Sequence, residues 1–187
     1  WILPTTYFYW QWFHYTRQSY GINRIYQCKT SPGRTKDILG NLVLYCVAIA
    51  GVLYRSAQGA TELLGFPIVM LPVSLLVAYT ATAIAGVAAA LWLVREIWRA
   101  RTEDIEIAYV LYFATHSVVF AVGYFAISDL TVGWLVVNIW HNMQYLLLVW
   151  LYNNNRYRNG ISEDHKLLSW ISQTGNTLIY FASCLII

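Results

Sequence analysis

Apolar runs long enough to cross a lipid bilayer recur along this chain, and they constrain its fold more than any other feature. A membrane helix needs ~20 consecutive, mostly apolar residues. Such runs, whole or partial, predict helices at approximately residues 5–22, 38–54, 73–94, 107–127, 132–152 and 167–187. The sequence therefore predicts an all-α, polytopic integral membrane helical bundle, with at least five transmembrane helices in a single domain.

The composition agrees with this fold class. The chain is 58% hydrophobic and 11% charged, whereas soluble domains usually carry ~25% charged residues. Its 9 Trp and 15 Tyr suit the aromatic belts of membrane interfaces. The net charge of +3 is spread over separate short loops, not gathered on one face as in nucleic-acid-binding proteins. We therefore expect membrane lipids, and no nucleic acid, as partners.

The basic residues are divided unevenly between alternate loops. The loops 23–37, 95–105 and 153–166 hold nearly all of them, while the opposite loops hold Arg55 alone. Because positively charged loops remain in the cytoplasm, we expect these three loops to be cytoplasmic and residue 1 to start on the other side. The chain starts at Trp1 and stops within an apolar run at Ile187, so we expect a fragment of a longer chain.

Small residues recur every four positions in the 73–94 segment. Small residues in this register allow two helix backbones to approach closely. We expect this stripe to pack against another helix of the same chain, with a subunit interface as the alternative. Its members are Ala78, Thr82, Gly86 and Ala90.

Three histidines, His14, His116 and His141, fall near the middle of predicted membrane helices. The ~1.5 Å rise per residue of a helix places all three within several ångström of one depth. Polar residues in membrane helices normally face the bundle interior. Around His14 such a stripe is predicted from the 4, 3 and 4 spacing of Tyr7, Gln11, His14 and Gln18.

Three imidazoles at one depth predict a metal site. Neutral imidazole is the commonest metal ligand, and three are enough for iron, the metal we expect, or for copper or zinc. Nearby polar side chains would orient the rings; these are Gln18, Tyr112, Asn138, Asn142 and Gln144. The first hypothesis is therefore a membrane-embedded, metal-dependent (iron-type) oxidoreductase that acts on a lipid-like hydrophobic substrate.

Two other interpretations stay open, and with them the question whether the chain is an enzyme. Asn, Gln, His and Tyr also join membrane helices by hydrogen bonds, and single histidines hold haem or chlorophyll. The second hypothesis is accordingly a non-catalytic accessory subunit, or a pigment- or haem-holding subunit, of a larger membrane complex. The clustered HxxxH and HxxHH pairs of membrane di-iron desaturases and hydroxylases do not occur in this sequence.

Overall fold

The computed structural model describes residues 1–30, 37–102 and 107–186. These residues are mostly helical, which confirms the all-α prediction. The elements are α1 (Ile2–Thr30), α2 (Ile38–Gln58), β1 (Glu62–Leu63), β2 (Phe66–Pro67), α3 (Leu75–Thr102), α4 (Ile107–Ala121) with a π-helical turn (Val122–Ala126), α5 (Leu130–Arg156), α6 (Lys166–Ile171), a 3-10 turn (Thr174–Asn176) and α7 (Thr177–Ile186).

The chain forms two compact units, Trp1–Val137 and Asn138–Ile187. In the first unit α2 is the central helix and packs on α1, α3 and α4. The second unit contains the remainder of α5, the 3-10 turn, α6 and α7. The core of the first unit depends on small residues in α2: Gly51 lies against Tyr124, and a Cβ at that glycine would approach the Tyr124 Cβ to 2.7 Å.

Three helices are long and apolar enough to cross a membrane. They are α2, α3 and the continuous helix Ile107–Ala126, which joins α4 to the π-helical turn. The described residues therefore include three helices that could cross a membrane, which confirms the membrane prediction only in this coarser form. α1 and α5 are also long, but polar side chains such as Gln11, Arg17 and Asn142 interrupt their apolar surfaces.

Four helices, α1, α2, α3 and α5, extend past their predicted ends into segments predicted as loops, and α1 and α3 extend furthest. α1 continues to Thr30 and α3 to Thr102, past the predicted ends at residues 22 and 94. The last turn of α3 holds Arg99 and Arg101. The helix macrodipole stabilises cations at a helix C-terminus, so basic residues that end an apolar run need not end the helix. The remainders of the two loops, 31–36 and 103–106, lie outside the described residues.

The predicted helix 167–187 is interrupted in the structure. α6 ends at Ile171, and α7 starts at Thr177 after the 3-10 turn. Side-chain amides bond the carbonyl groups at the break: Gln173 Nε2 donates to the Ser169 carbonyl at 3.0 Å, and Asn176 Nδ2 donates to the Trp170 carbonyl at 2.8 Å. Polar side chains that bond nearby backbone groups compete with helical hydrogen bonds, which explains the break.

The small-residue stripe of α3 is only partly buried. Ala78 is buried and Thr82 is half-buried, but Gly86 and Ala90 are exposed. A Cβ at Gly86 would have no atom of the other described residues within 4 Å, apart from the backbone of its own helix. The buried face of α3 runs along a neighbouring row of residues, namely Ala78, Ala85, Ala88, Trp92 and Glu96. Helix contacts within the first unit therefore use this row.

A short hairpin lies between α2 and α3. β1 and β2 pair antiparallel, and the two turn residues, Leu64 and Gly65, have positive φ angles, as tight hairpins require. Hydroxyl groups of two helices hold the segment: Thr131 Oγ1 accepts from the Leu64 amide, and Thr5 Oγ1 accepts from the Val69 amide. The hairpin is thereby fixed to the starts of α1 and α5.

Candidate functional site

His116 is the histidine most completely enclosed in the first unit. It lies in α4 with an exposed fraction of 0%. Its Nδ1 is 3.0 Å from the Ser19 Oγ of α1, and its ring centroid is 4.3 Å from that of Phe120. The Ser19 bond and the Phe120 contact fix the imidazole in one orientation between α1 and α4.

His14 is placed differently. It lies in α1 but is exposed, and its ring centroid is 6.1 Å from that of Tyr15. Gln18, one turn further along, is half-buried. The residue of α1 that contacts the His116 ring at Nδ1 is Ser19, on a different face of the helix from His14.

His141 belongs to the second unit and is buried in α5. Its predicted neighbours differ in burial: Asn138 and Gln144 are half-buried, whereas Asn142 is exposed. Tyr112, in the first unit, is half-buried in α4 with its ring centroid 5.8 Å from that of Tyr26.

The predicted histidine cluster is not seen in the described part of the chain. Among those residues, no group of three or more His, Cys, Asp or Glu side chains is placed to hold a metal ion. His14 is exposed while His116 is enclosed, because 3.6 residues per turn put His14 on a different face of α1 from Ser19. The roles predicted for the three histidines as ligands stay predictions.

Polar residues occur at every fourth position along the buried side of α1, in a stripe that turns by about 40° at each step. The five residues on it are all buried in the first unit: Gln11, Tyr15, Ser19, Asn23 and Gln27. The sequence prediction found only Gln11 of this face, because it used a mixed 4-3-4 spacing and ended the helix at residue 22. The signal that identifies the face is the polar residue at every fourth position through to Gln27.

Hydrogen bonds connect the first part of this face. Gln11 Nε2 donates to the Tyr7 hydroxyl at 2.6 Å and to the Tyr15 hydroxyl at 2.5 Å. The result is a connected polar chain that starts at the exposed Tyr7 and enters the interior.

The first unit also contains an ion-pair cluster around Asp37, at the start of α2. Arg95 donates from Nη1 to Asp37 Oδ1 at 2.7 Å and from Nη2 to Asp37 Oδ2 at 2.5 Å. The Tyr109 hydroxyl donates to Asp37 Oδ2 at 2.5 Å. Glu96, which is 3% exposed, pairs with both Arg95 and Arg99. The cluster joins the start of α2 to α3 and α4.

The Asp37 carboxylate is also the N-cap of α2, since its Oδ1 accepts from the Gly40 amide at 2.9 Å. Burial raises the pKa of this carboxyl. The hydrogen bonds from Arg95, Gly40 and Tyr109 outweigh that effect, so the pKa of Asp37 lies below its usual range. The carboxylate is therefore charged at neutral pH.

Arg55 is a second buried charge. It lies in the last turn of α2 and is 1% exposed. Its Nη1 donates to Gln58 Oε1 and to the Ser128 carbonyl, and its Nη2 donates to the carbonyls of Gly123 and Ile127. The guanidinium therefore holds carbonyl groups at the end of the π-helical turn, where the helix dipole favours a cation.

An apolar groove opens near Tyr7. Its volume is about 640 Å³, within the range of ~300–1,000 Å³ typical of small-molecule sites. Residues from the start of α1 and from the hairpin line it, namely Leu3, Pro4, Thr6, Tyr7, Trp10, Leu63, Leu64 and Phe66. None of the described residues that line the groove is charged, so its walls suit a hydrophobic molecule.

The geometry therefore contains a polar helix face, an ion-pair cluster, a buried arginine and an apolar groove. Because similarity to a characterised protein would assign roles to these residues, the chain was compared with family models, with curated proteins and with solved structures. None of the three comparisons returned a match.

Proposed function

We propose that this chain is a polytopic membrane protein with at least five membrane helices, in which α1 and α5 also cross the bilayer. The two helices have 29 and 27 residues, more than the ~20 that a crossing needs. The polar stripe of α1 is compatible with crossing because its residues are buried. The basic residues near the ends of α1, α3 and α5 support a cytoplasmic position for 23–37, 95–105 and 153–166.

We propose further that the protein is a non-catalytic accessory subunit of a larger membrane complex. The observation that carries this proposal is the open small-residue face of α3. Gly86 and Ala90 are exposed, and in the described part of the chain no other helix comes within 4 Å of a Cβ placed on Gly86. Small residues on a membrane helix let another helix backbone approach closely. The partners would be neighbouring membrane subunits, together with lipids.

The buried polar contacts of the first unit support the same interpretation. Ser19 and His116 join α1 to α4, and Asp37 joins α2 to Arg95 of α3 and to Tyr109 of α4. Hydrogen bonds between membrane helices contribute ~0.6 kcal/mol each on average. These residues act as connections between helices, a role that requires no reaction.

The complex can be tested by native electrophoresis of the protein extracted in a mild detergent from its own membrane. We expect the wild type to migrate in an assembly larger than its 21.5 kDa. Gly86→Leu places a bulky side chain on the open face and should release the subunit. Val87→Leu, on an exposed neighbouring position, is the matched control and should stay assembled. A wild type that migrates alone would refute the proposal.

The second candidate function is the metal-dependent, iron-type oxidoreductase acting on a lipid-like substrate. The observation that favours it is His116, a buried imidazole whose Nδ1 lies 3.0 Å from the Ser19 Oγ. Metal-bound imidazoles are commonly oriented by a hydrogen bond at the ring nitrogen that does not bind the metal. The apolar groove beside Tyr7 would admit the substrate. Iron would be the metal, with copper or zinc as alternatives.

Metal analysis and an absorption spectrum of the purified protein separate the candidates. Stoichiometric iron, copper or zinc without a Soret band supports the oxidoreductase, and His116→Ala should then lower the metal content. His165→Ala is the control, because this histidine lies exposed before α6. A Soret or chlorophyll band would indicate a haem- or pigment-holding subunit. A protein with neither metal nor band would remove the oxidoreductase candidate.

A further inference from the structure

The short helix α6 turns its polar side inward and its apolar side outward. Ser169 within it is 0% exposed, and Ser172 directly after it is also buried. The exposed fraction of Leu167 is 72%, and Leu168 and Trp170 are exposed as well. A helix at the surface of a soluble domain shows the opposite pattern, with its apolar residues facing the core. The pattern therefore indicates that α6 lies against apolar surroundings.

Hydrogen bonds within the second unit fix this arrangement. Ser169 Oγ accepts from the Ser162 amide at 3.0 Å and donates to the His165 carbonyl at 2.8 Å. Asn154 Nδ2, near the end of α5, donates to the Ser172 carbonyl at 2.8 Å. The polar side of α6 is therefore held by the preceding loop and the end of α5, and the apolar side chains remain outside.

A groove of about 400 Å³ lies between α6 and the loop before it, and we call it the α6 groove. Three of the residues that line it are apolar and exposed, namely Ile161, Leu167 and Trp170. Glu163 and Lys166 line the same groove and are also exposed. The α6 groove therefore combines an apolar wall with one negative and one positive side chain.

A zwitterionic phospholipid, such as phosphatidylethanolamine, carries the complementary set of groups. Its phosphate is an anion that Lys166 can bind, and its amine is a cation that Glu163 can bind, both through charge-assisted hydrogen bonds. The ring face of Trp170 also attracts a cationic amine. Trp and Lys side chains are typical of the layer between lipid headgroups and acyl chains. An anionic lipid would bring its net negative charge beside Glu163, which is unfavourable.

We propose that the α6 groove binds the headgroup of one zwitterionic phospholipid. Lys166 binds the phosphate and Glu163 binds the amine, while Leu167 and Trp170 contact the glycerol backbone and the start of the acyl chains. This inference rests on the proposed membrane position of the chain, in which 153–166 lies at the cytoplasmic face and α6 directly follows it. Short helices with an exposed apolar side lie in this interfacial layer of a bilayer.

Lipid titrations followed by native mass spectrometry test the charge pattern. The purified chain in a maltoside detergent is mixed with phosphatidylethanolamine or with phosphatidylglycerol of the same acyl chains, and the retained lipid is counted. We expect the wild type to bind the zwitterionic lipid several-fold more tightly than the anionic one. Glu163→Gln should abolish this preference, because the amine loses its partner and the anionic lipid no longer meets a negative charge. Lys166→Gln should weaken the binding of both lipids.

Asp164→Asn is the matched control, since Asp164 is exposed beside Glu163 but does not line the α6 groove. It should keep the wild-type preference. The substituted side chains are all exposed, so we expect every variant to fold, which circular dichroism checks. Equal binding of the two lipids by the wild type, or an unchanged preference in Glu163→Gln, would overturn the proposal.

Photocrosslinking in native membranes identifies what covers α6. With the photoreactive p-benzoylphenylalanine in place of Leu167, we expect irradiation to add the mass of a phospholipid. A crosslink to a protein would instead make the α6 groove a subunit interface and would overturn the proposal. Alkaline carbonate tests the membrane position separately. Release of the chain would contradict that position, whereas a retained chain without a lipid preference contradicts only the headgroup site.

Discussion

The guanidinium of Arg55 caps the end of the π-helical turn. It bonds the carbonyls of Gly123, Ile127 and Ser128, which the end of the π-helical turn leaves without helical partners. The sequence shows Arg55 only as the lone basic residue of the predicted loops on the side opposite the basic ones. Its burial could not be predicted, because the carbonyl groups lie about seventy residues further along the chain.

Replacing Arg55 by Leu should destabilise the first unit strongly. The variant leaves the carbonyl groups that Arg55 bonds without this donor, and each buried polar group left unsatisfied costs about 1–3 kcal/mol. We expect the apparent melting temperature in detergent to fall by several degrees. Arg101→Leu, at the exposed end of α3, should change it little. An unchanged melting temperature for Arg55→Leu would show that its hydrogen bonds are dispensable.

Asp37 makes stability depend on pH. Its folded pKa is depressed below the ordinary value of about 3.9. Its contribution to stability is therefore complete above that value and is lost as the pH falls through the folded pKa. Asp37→Asn keeps a good N-cap but removes the ion pair with Arg95. We expect the variant to melt lower at neutral pH.

The same variant should also lose part of the acid sensitivity. The decline in melting temperature below about pH 4 should be smaller in Asp37→Asn than in the wild type. Thermal melting of both proteins in one detergent, over a series of buffers, measures the difference. Parallel curves would mean that another group causes the acid sensitivity.

At the scale of helices, two glycines differ in how closely another helix backbone approaches them. A Cβ at Gly133, in α5, would overlap the Gly123 carbonyl oxygen, which belongs to the backbone and cannot move aside easily. Gly86 is different, since a Cβ there meets open space. Both glycines look alike in the sequence, because each lies within an apolar helix.

Alanine at these two positions should therefore have different effects on stability. Gly133→Ala should lower the stability of the isolated chain by about 1–3 kcal/mol, the usual cost of overpacking. Gly86→Ala should leave it unchanged or raise it by about 0.5–1 kcal/mol, because alanine favours the helix. Urea titrations followed by tryptophan fluorescence give both values. Equal effects at the two sites would contradict the close contact between Gly123 and Gly133.

For the whole molecule, the distribution of basic residues predicts its orientation in the membrane. In a background without native cysteines, Asn159→Cys should react with a membrane-impermeant thiol reagent only after the cells are opened, since we expect 153–166 to be cytoplasmic. Gly59→Cys, at the C-cap of α2, should react in intact cells. The reverse labelling pattern would invert the predicted orientation.

The sequence by itself determined the helical class and the three helices that are long and apolar enough to cross a membrane, because long apolar runs satisfy their backbone groups in few other ways. The identity of the buried polar face depended on tertiary structure. Spacing alone does not decide which of two adjacent faces of α1 meets α4, so Ser19, and not His14, bonds His116 at Nδ1. The same holds for Arg55 and for the Asp37–Arg95 pair, whose partners are brought together only by helix packing.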